Sequence, residues 1–155
     1  MKLTSPSFQN GAASPSRFTG EGADVSPALK WEGALSGVKS FALICDDPDA
    51  PNGDWVHWLI WNISGTATEL PENVAKTETV PALSGAKQGL NSWPQVGYNG
   101  PMPPRGHGIH HYHFKLYALC NTLSLPPKVT KQQLLATINA WKLAEAELVG
   151  TYERK

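Results

Sequence analysis

The stretch GIHHYHFKLYAL, residues 108–119, decides the fold class because its apolar residues recur at every second position. This period is typical of a β-strand with one buried face. The apolar face runs to Ala118 and begins at His110, at the loop end of the strand, where a pocket residue belongs. His111 and His113 share the more polar face, and we interpret them as surface residues.

Other short segments repeat this character: SFALIC (40–45), WVHWLIWNI (55–63) and AELVGTY (146–152). They are rich in aromatic and β-branched residues and are bounded by turn-forming ones, which predicts strands. They do not alternate with long helical patterns, so we expect a mainly β protein, an antiparallel β-sandwich. Thr130 and Gln133 have the spacing of a capping box, which predicts a helix over about 131–145 that closes one end of the sandwich.

The length of 155 residues predicts a single domain spanning 1–155. Thirteen basic and thirteen acidic residues give no net charge, which argues against a partner such as nucleic acid. The N-terminus lacks the apolar run of a signal peptide, and no stretch approaches the roughly 18 apolar residues of a membrane span. We therefore expect a cytoplasmic protein without integral membrane association. Cys45 and Cys120 are interpreted as small buried side chains and not as a disulfide.

The stretch DDPDAPNGDWVHW, residues 46–58, combines four carboxylates and a turn signature with a histidine inside an apolar strand. By default, three of its residues are interpreted as turn and surface positions: Asp46, Asn52 and Asp54. Asp47 and Asp49, whose backbone is restricted by Pro48 and Pro51, are candidates for one wall of a pocket. His57 lies in a strand that is apolar on both faces, so it is either a core histidine bonded to the backbone or the polar floor of that pocket.

Two histidines and two aspartates in a glycine- and proline-rich frame suit the binding of a small phosphomonoester or zwitterion. Imidazolium and backbone N–H groups donate to an anion, and a nearby carboxylate keeps a histidine protonated. A metal site built from His57, His110 and either Asp47 or Asp49 is the alternative on residue types, and it would suit a hydrolase or an oxygenase. No serine occupies a GxSxG motif, so nucleophilic catalysis has less support.

The motifs DPDAP (47–51), WVHW (55–58) and GPMPPRGHGIHHYHF (100–114) resemble the two signature regions of the phosphatidylethanolamine-binding proteins. VSPALKW (25–31) and GLNSWPQVGYNGPMPP (89–104) agree with the family in the same order. The likeness covers nearly the whole chain. It is strongest to the bacterial and archaeal Raf kinase inhibitor-like branch.

The resemblance implies a β-sandwich with a C-terminal helix, few other short helices and a small anion pocket at one end. It implies ligand-binding roles, by motif, for seven residues: Asp47, Asp49, His57, Pro103, Gly108, His110 and Tyr112. The implied function is non-enzymatic binding of phosphate or a phospholipid headgroup, without cofactor or metal. Inhibition of a kinase or protease through the pocket rim is the alternative, and a protein partner and a homodimer are left open.

One position departs from the family pattern. The second signature usually reads G-x-H-R-Y, whereas this chain has His111 in place of the arginine. An ion pair that supports the loop would then form at this position only when the imidazole is protonated.

Overall fold

A computed structural model describes every residue, Met1–Lys155, and consists of two antiparallel sheets and one α-helix. In chain order the elements are β1 Lys2–Thr4, β2 Leu29–Glu32, β3 Ser40–Asp47, β4 Trp55–Ser64, β5 Glu69–Leu70, β6 Thr79–Val80, β7 Ala86–Gln88, β8 His110–Leu119, α1 Lys131–Trp141 and β9 Lys142–Tyr152. Short 3-10 helices span Ser16–Phe18 and Pro81–Leu83. The small sheet has the order β1-β2-β5, and the large sheet has the order β6-β7-β4-β3-β8-β9.

The main core lies between the two sheets and confirms the predicted β-sandwich. It contains twenty buried side chains, among them Trp31 of the small sheet, whose ring centroid lies 5.2 Å from that of Phe41 in the large sheet. The predicted face of β8 is confirmed, because all its members from His110 to Ala118 are buried. β3 is buried along its whole length, since it lies between β4 and β8 in the sheet and is covered on both faces.

The helix α1 begins as predicted. The Thr130 side chain accepts from the backbone N–H of Gln133, and the Gln133 side chain accepts in return from the N–H of Thr130. Leu134 and Ile138 are buried in a second cluster, on the outer face of the large sheet. The helix therefore covers a face of the sandwich, and the prediction that it closes one end is wrong.

The predicted end of the helix near residue 145 is also wrong, because β9 begins directly at Lys142. Residues with good helix propensity are drawn here into a long ladder with β8. Ala144 and Ala146 pack against the main core while Glu145 and Glu147 remain exposed, which is the period of a strand. Tertiary pairing thus overrides local propensity.

Asp46 is not the surface turn residue that was predicted. It belongs to β3, is only 1% exposed, and lies with its Oδ2 2.7 Å from Lys131 Nζ at the start of α1. Lys131 also bonds to Asp54. Burial acts to lower the pKa of Lys131, but the bonds to the two carboxylates outweigh it and the pKa is raised. This ion pair fastens the first turn of the helix to the sheet.

The loop between β7 and β8 is ordered by internal hydrogen bonds. The Asn91 side chain donates to Gly97 O at 3.1 Å and accepts from the backbone N–H of Trp93 at 2.9 Å. Gly100 approaches the Ser16–Phe18 turn so closely that an added Cβ would lie 2.0 Å from Phe18 O. Only glycine fits there, and this contact fixes the path of the chain as it enters the second signature region.

Two further observations concern the whole chain. Cys45 and Cys120 are free thiols; Cys45 is buried, as predicted, whereas Cys120 is only partly buried. No helix combines the length and hydrophobicity that crossing a bilayer would demand.

Candidate functional site

A cavity of about 190 Å³ opens where β3 ends and β4 and β8 begin. Ligand pockets for drug-sized molecules are larger, about 300–1,000 Å³, so this cavity suits a small group. Twelve residues line it: Asp47, Ala50, Pro51, Asn52, Trp55, His57, Trp93, Met102, Pro103, Pro104, His110 and Tyr112. Both predicted signature regions therefore meet at one cavity.

The most buried polar contact of the cavity joins Asp47 and His110. Asp47 Oδ2 lies 2.6 Å from His110 Nδ1, and the two residues are 3% and 2% exposed. The other carboxylate oxygen of Asp47 accepts from the backbone N–H of Asp49 at 2.8 Å. Because a carboxylate can only accept here, His110 Nδ1 carries a hydrogen, and Nε2 is the ring nitrogen free for other partners.

His107 occupies that nitrogen in the structure. Its Nδ1 lies 2.6 Å from His110 Nε2, so Asp47, His110 and His107 form a continuous chain of hydrogen bonds. Sequence reasoning missed His107. The available signal was its position between Gly106 and Gly108, three residues before the strand histidine.

A β-bulge brings His57 to the cavity. Cys45 is paired with Trp58 whereas Asp46 is paired with Val56, so His57 is an extra residue in β4. Simple alternation would place His57 beside Leu59, which lies in the outer cluster. Instead its ring contacts Tyr112 of the inner face at a centroid distance of 5.0 Å. The sequence carries no evident signal of this bulge.

His57 is held neutral by its surroundings. Burial lowers its pKa, and its Nδ1 donates to the carbonyl oxygen of Asn99 at 2.6 Å. Its second nitrogen, Nε2, is therefore an acceptor. Burial also raises the pKa of Tyr112, which keeps its hydroxyl protonated. The cavity thus offers an acceptor at His57 and an O–H donor at Tyr112, while both ring nitrogens of His110 are bonded to Asp47 and His107.

Two of the predicted site residues, Asp49 and Gly108, lie outside the lining of the cavity. Asp49 Oδ2 accepts from the backbone N–H of His111 at 2.9 Å and lies 2.8 Å from His111 Nδ1. The hydrogen bond to the His111 side chain holds the pKa of Asp49 below its ordinary value. Gly108 has a φ of +90° at the turn into β8. The binding roles of both residues stay predictions, and Asp49 acts here as a rim contact.

The walls of the cavity are aromatic and rigid. Trp93 stands edge-on to Trp55 and to His57, with ring centroids 5.4 and 5.2 Å apart. Pro103, which the resemblance assigned to the site, and Pro104 also line the cavity. The two tryptophans were not among the predicted site residues, because nothing in a single sequence separates a loop tryptophan that packs in the core from one that lines a cavity.

The lining of the cavity contains no serine, threonine, cysteine or lysine. Both oxygens of Asp47 are engaged by protein donors, which makes this carboxylate a support for His110 and a poor metal ligand.

The fold and the cavity define a class: two-sheet β-sandwich proteins with a small Asp–His pocket at the strand ends. Comparison with known proteins agrees with this class. A computed match to the family described as phosphatidylethanolamine-binding protein covers residues 4–153. The chain belongs to this family, in its prokaryotic UPF0098 branch.

Relatives in that branch match almost the entire chain. A UPF0098 protein of Aquifex aeolicus is 45% identical over 155 residues, covering 99% of this chain and 89% of its own. The crystal structure of Escherichia coli YbcL, described as a new member of the mammalian PEBP family, has a TM-score of 0.92 and 35% identity and covers 99% of this chain and 98% of its own. A homologue from Chlamydia trachomatis, described as a putative member, has a TM-score of 0.88 and 36% identity and covers 99% and 97%.

Proposed function

We propose that this protein binds a small oxyanion, phosphate or a phosphorylated headgroup, in the cavity between the two signature regions, and that it is not an enzyme. The observation that carries the proposal is the buried Asp47–His110 pair. It fixes the orientation of the His110 ring, which lines a cavity of headgroup size. The description of the family, which names a phosphorylated lipid, agrees with this ligand chemistry.

The pair supports anion binding through charge. With His110 protonated, the Asp47 carboxylate compensates the buried positive charge, so an imidazolium can exist at a depth where an isolated cation would be costly. Its Nε2–H then donates a charge-assisted hydrogen bond to an anion oxygen. The Tyr112 hydroxyl supplies another donor at the cavity.

The neutral His57 adds selectivity among anions. Because its Nε2 accepts, it favours a ligand that carries a hydrogen at that point, such as a protonated phosphate oxygen or an ammonium group. A fully deprotonated carboxylate such as acetate lacks this donor. The tryptophan and proline walls are already packed, which reduces the ordering cost of binding.

Isothermal titration calorimetry with phosphate, phosphoethanolamine and acetate tests the proposal. We expect the two phosphorylated compounds to bind and acetate to bind more weakly. His110→Gln should weaken phosphate binding about tenfold or more, because it removes a charge-assisted donor. His113→Gln is the matched control, since His113 lies on the other face of β8 beside Glu147. Equal binding by wild type and His110→Gln would refute the proposed site.

A second candidate function is regulation of a partner protein through the rim of the cavity. Met102 and Ile109 on the same loop are 40% and 59% exposed, which places apolar side chains beside the proposed anion site. If this function holds, a partner captured from lysate is released by phosphate and is not captured by His110→Gln. Capture that is unaffected by both would count against it. The cytoplasmic location stays a prediction, and cell fractionation would test it.

A further inference from the structure

His107 lies outside the lining of the cavity, and its side chain contacts the Nε2 nitrogen of His110. Its Nδ1 lies 2.6 Å from His110 Nε2, while the other ring nitrogen of His110 is taken by Asp47. His110 is buried, whereas His107 is exposed. An oxyanion that takes the Nε2 position must therefore replace the bond to His107.

The distance limits how many protons the two rings hold. Two ring nitrogens 2.6 Å apart can be joined by one hydrogen, because a second N–H would point directly at the first. His110 Nδ1 keeps its own hydrogen on Asp47. When both rings are neutral, the shared hydrogen is on His107 Nδ1 and His110 Nε2 accepts it. For both rings to donate to one anion, His110 Nε2 needs a hydrogen of its own, which is one proton more than this neutral pair holds.

The chain around His107 allows its ring to move aside. Gly106 and Gly108 have φ values of +73° and +90°. A Cβ added to either glycine would have no atom within 4 Å beyond those of the residue itself and its two chain neighbours. The loop itself is held by bonds at its backbone, from Gly106 N–H to Arg154 O at 3.1 Å and from His107 N–H to Pro104 O at 3.2 Å. The backbone stays anchored while the exposed imidazole is free to rotate.

We propose that His107 is a second anion-contacting group of this site, and that an oxyanion enters between His107 and His110 together with one proton. The inference rests on the proposed function and assigns a residue and a proton to it. In the open arrangement the added proton is on His110 Nε2, so the His110 imidazolium and the Nδ1–H of a neutral His107 both donate to the anion.

The charges around the pair are consistent with this role. The ionisable groups that face it are Asp47 from β3, His57 from β4 and Tyr112 from β8. Arg105, in the same loop, donates to the Lys155 carbonyl at 2.7 Å, and Asp49 on the rim is bonded to His111. Asp47 is therefore the carboxylate bonded to the pair, and it compensates the positive charge that His110 gains.

The affinity should then depend on pH in one direction. Binding with uptake of one proton is strongest at low pH and weakens as pH rises, by up to about tenfold per pH unit. Sulfate is the probe for this measurement because it keeps its charge across pH 6–8 and cannot bring the proton itself. His107→Gln should weaken sulfate binding at pH 6 about tenfold, since it removes a charge-assisted bond.

Histidine side-chain ¹⁵N NMR tests the inference, with the loss of one signal in His107→Gln and in His110→Gln giving the assignments. At pH 7 we expect added sulfate or phosphate to convert His110 to imidazolium and to shift the signals of His107, with His113 unchanged. A response confined to His110, or equal sulfate affinity in His107→Gln and wild type, would overturn this inference and leave the proposed function standing. No response of any histidine to either anion would refute the proposed function, and this inference with it.

Discussion

Replacing Asp46 by asparagine should destabilise the protein without changing anion binding. Asp46 and Asp47 are consecutive residues of β3, so their side chains lie on opposite faces of the sheet. Asp47 reaches His110 in the cavity, while Asp46 reaches Lys131 at the start of α1. Adjacent aspartates therefore have separable roles, one in the proposed site and one in fastening the helix.

The expected loss follows from burial and from the remaining contacts. Removing one partner of a fully buried ion pair costs about 3–5 kcal/mol, whereas an exposed pair contributes about 0–1 kcal/mol. Asp46 is buried, but the Lys131 side chain is 23% exposed and retains Asp54. We therefore expect Asp46→Asn to lower the free energy of unfolding by about 2 kcal/mol. In a chain of this length that loss lowers Tm by roughly 4–8 °C.

A double-mutant cycle with Lys131→Met measures the pair itself, by urea denaturation with intrinsic tryptophan fluorescence. We expect a coupling energy of about 1–2 kcal/mol between the two positions. Asp54→Asn is the control and should change stability by less than about 1 kcal/mol, because Asp54 is partly exposed. Phosphate affinity should remain within about twofold of wild type in Asp46→Asn, well below the tenfold effect of a lost charge-assisted bond. An Asp46→Asn variant that is as stable as wild type, or one that loses phosphate binding at unchanged stability, would contradict this reasoning.

Three further predictions test other parts of the structure. Gly100→Ala should lower the free energy of unfolding by about 2–3 kcal/mol in thermal denaturation, because the added Cβ would collide with Phe18 O. An unchanged Tm would show that the loop lies elsewhere. His111→Arg should stabilise the protein at pH 8, which a higher Tm would show, because arginine keeps its charge beside Asp49 where a neutral imidazole does not. The gain in the free energy of unfolding should be no more than about 1 kcal/mol. Little gain is expected at pH 5, and equal gains at both pH values would exclude the charge as the cause. His57→Gln should reduce the pH dependence of stability. Burial lowers the pKa of His57 in the folded state, so the unfolded chain binds the proton first as pH falls below about 6.5. The wild-type protein then loses up to about 1.4 kcal/mol of stability per pH unit until the pH reaches the folded-state pKa. An identical pH profile for the variant would show that His57 is not the group responsible.

Much of the fold follows from the sequence where local pattern and tertiary packing agree. The alternation in β8 is a period-two signal, and the structure buries that face throughout. The residues after Trp141 are the exception. Alanine, glutamate and leucine favour a helix, yet the segment pairs with the free edge of β8, and a single sequence does not show that this edge needs a partner.

The lining of the cavity was predictable in its strand residues and, apart from Pro103, not in its loops. His110 was selected by its place at the end of a buried face, and Asp47 and His57 by the pattern of residues 46–58 together with the resemblance. His107 and Trp93 were missed because loop side chains reach the cavity through backbone turns that no period describes. The bulge at His57 likewise changes the face of a residue that simple alternation assigns elsewhere.

Two histidines of the cavity have opposite chemistry because of what each Nδ1 contacts. His57 Nδ1 donates to a carbonyl oxygen in a buried setting, so the ring stays neutral and accepts at Nε2. His110 Nδ1 donates to a carboxylate, and in the proposed complex its Nε2–H donates to the anion. An oxyanion that carries one hydrogen can satisfy both, by accepting from His110 and donating to His57. A hydrogen phosphate or phosphomonoester meets this requirement near neutral pH, whereas sulfate accepts from His110 but has no hydrogen to donate to His57. Phosphate should therefore bind more tightly than sulfate to the wild-type protein, and it should lose that advantage in a His57→Phe variant.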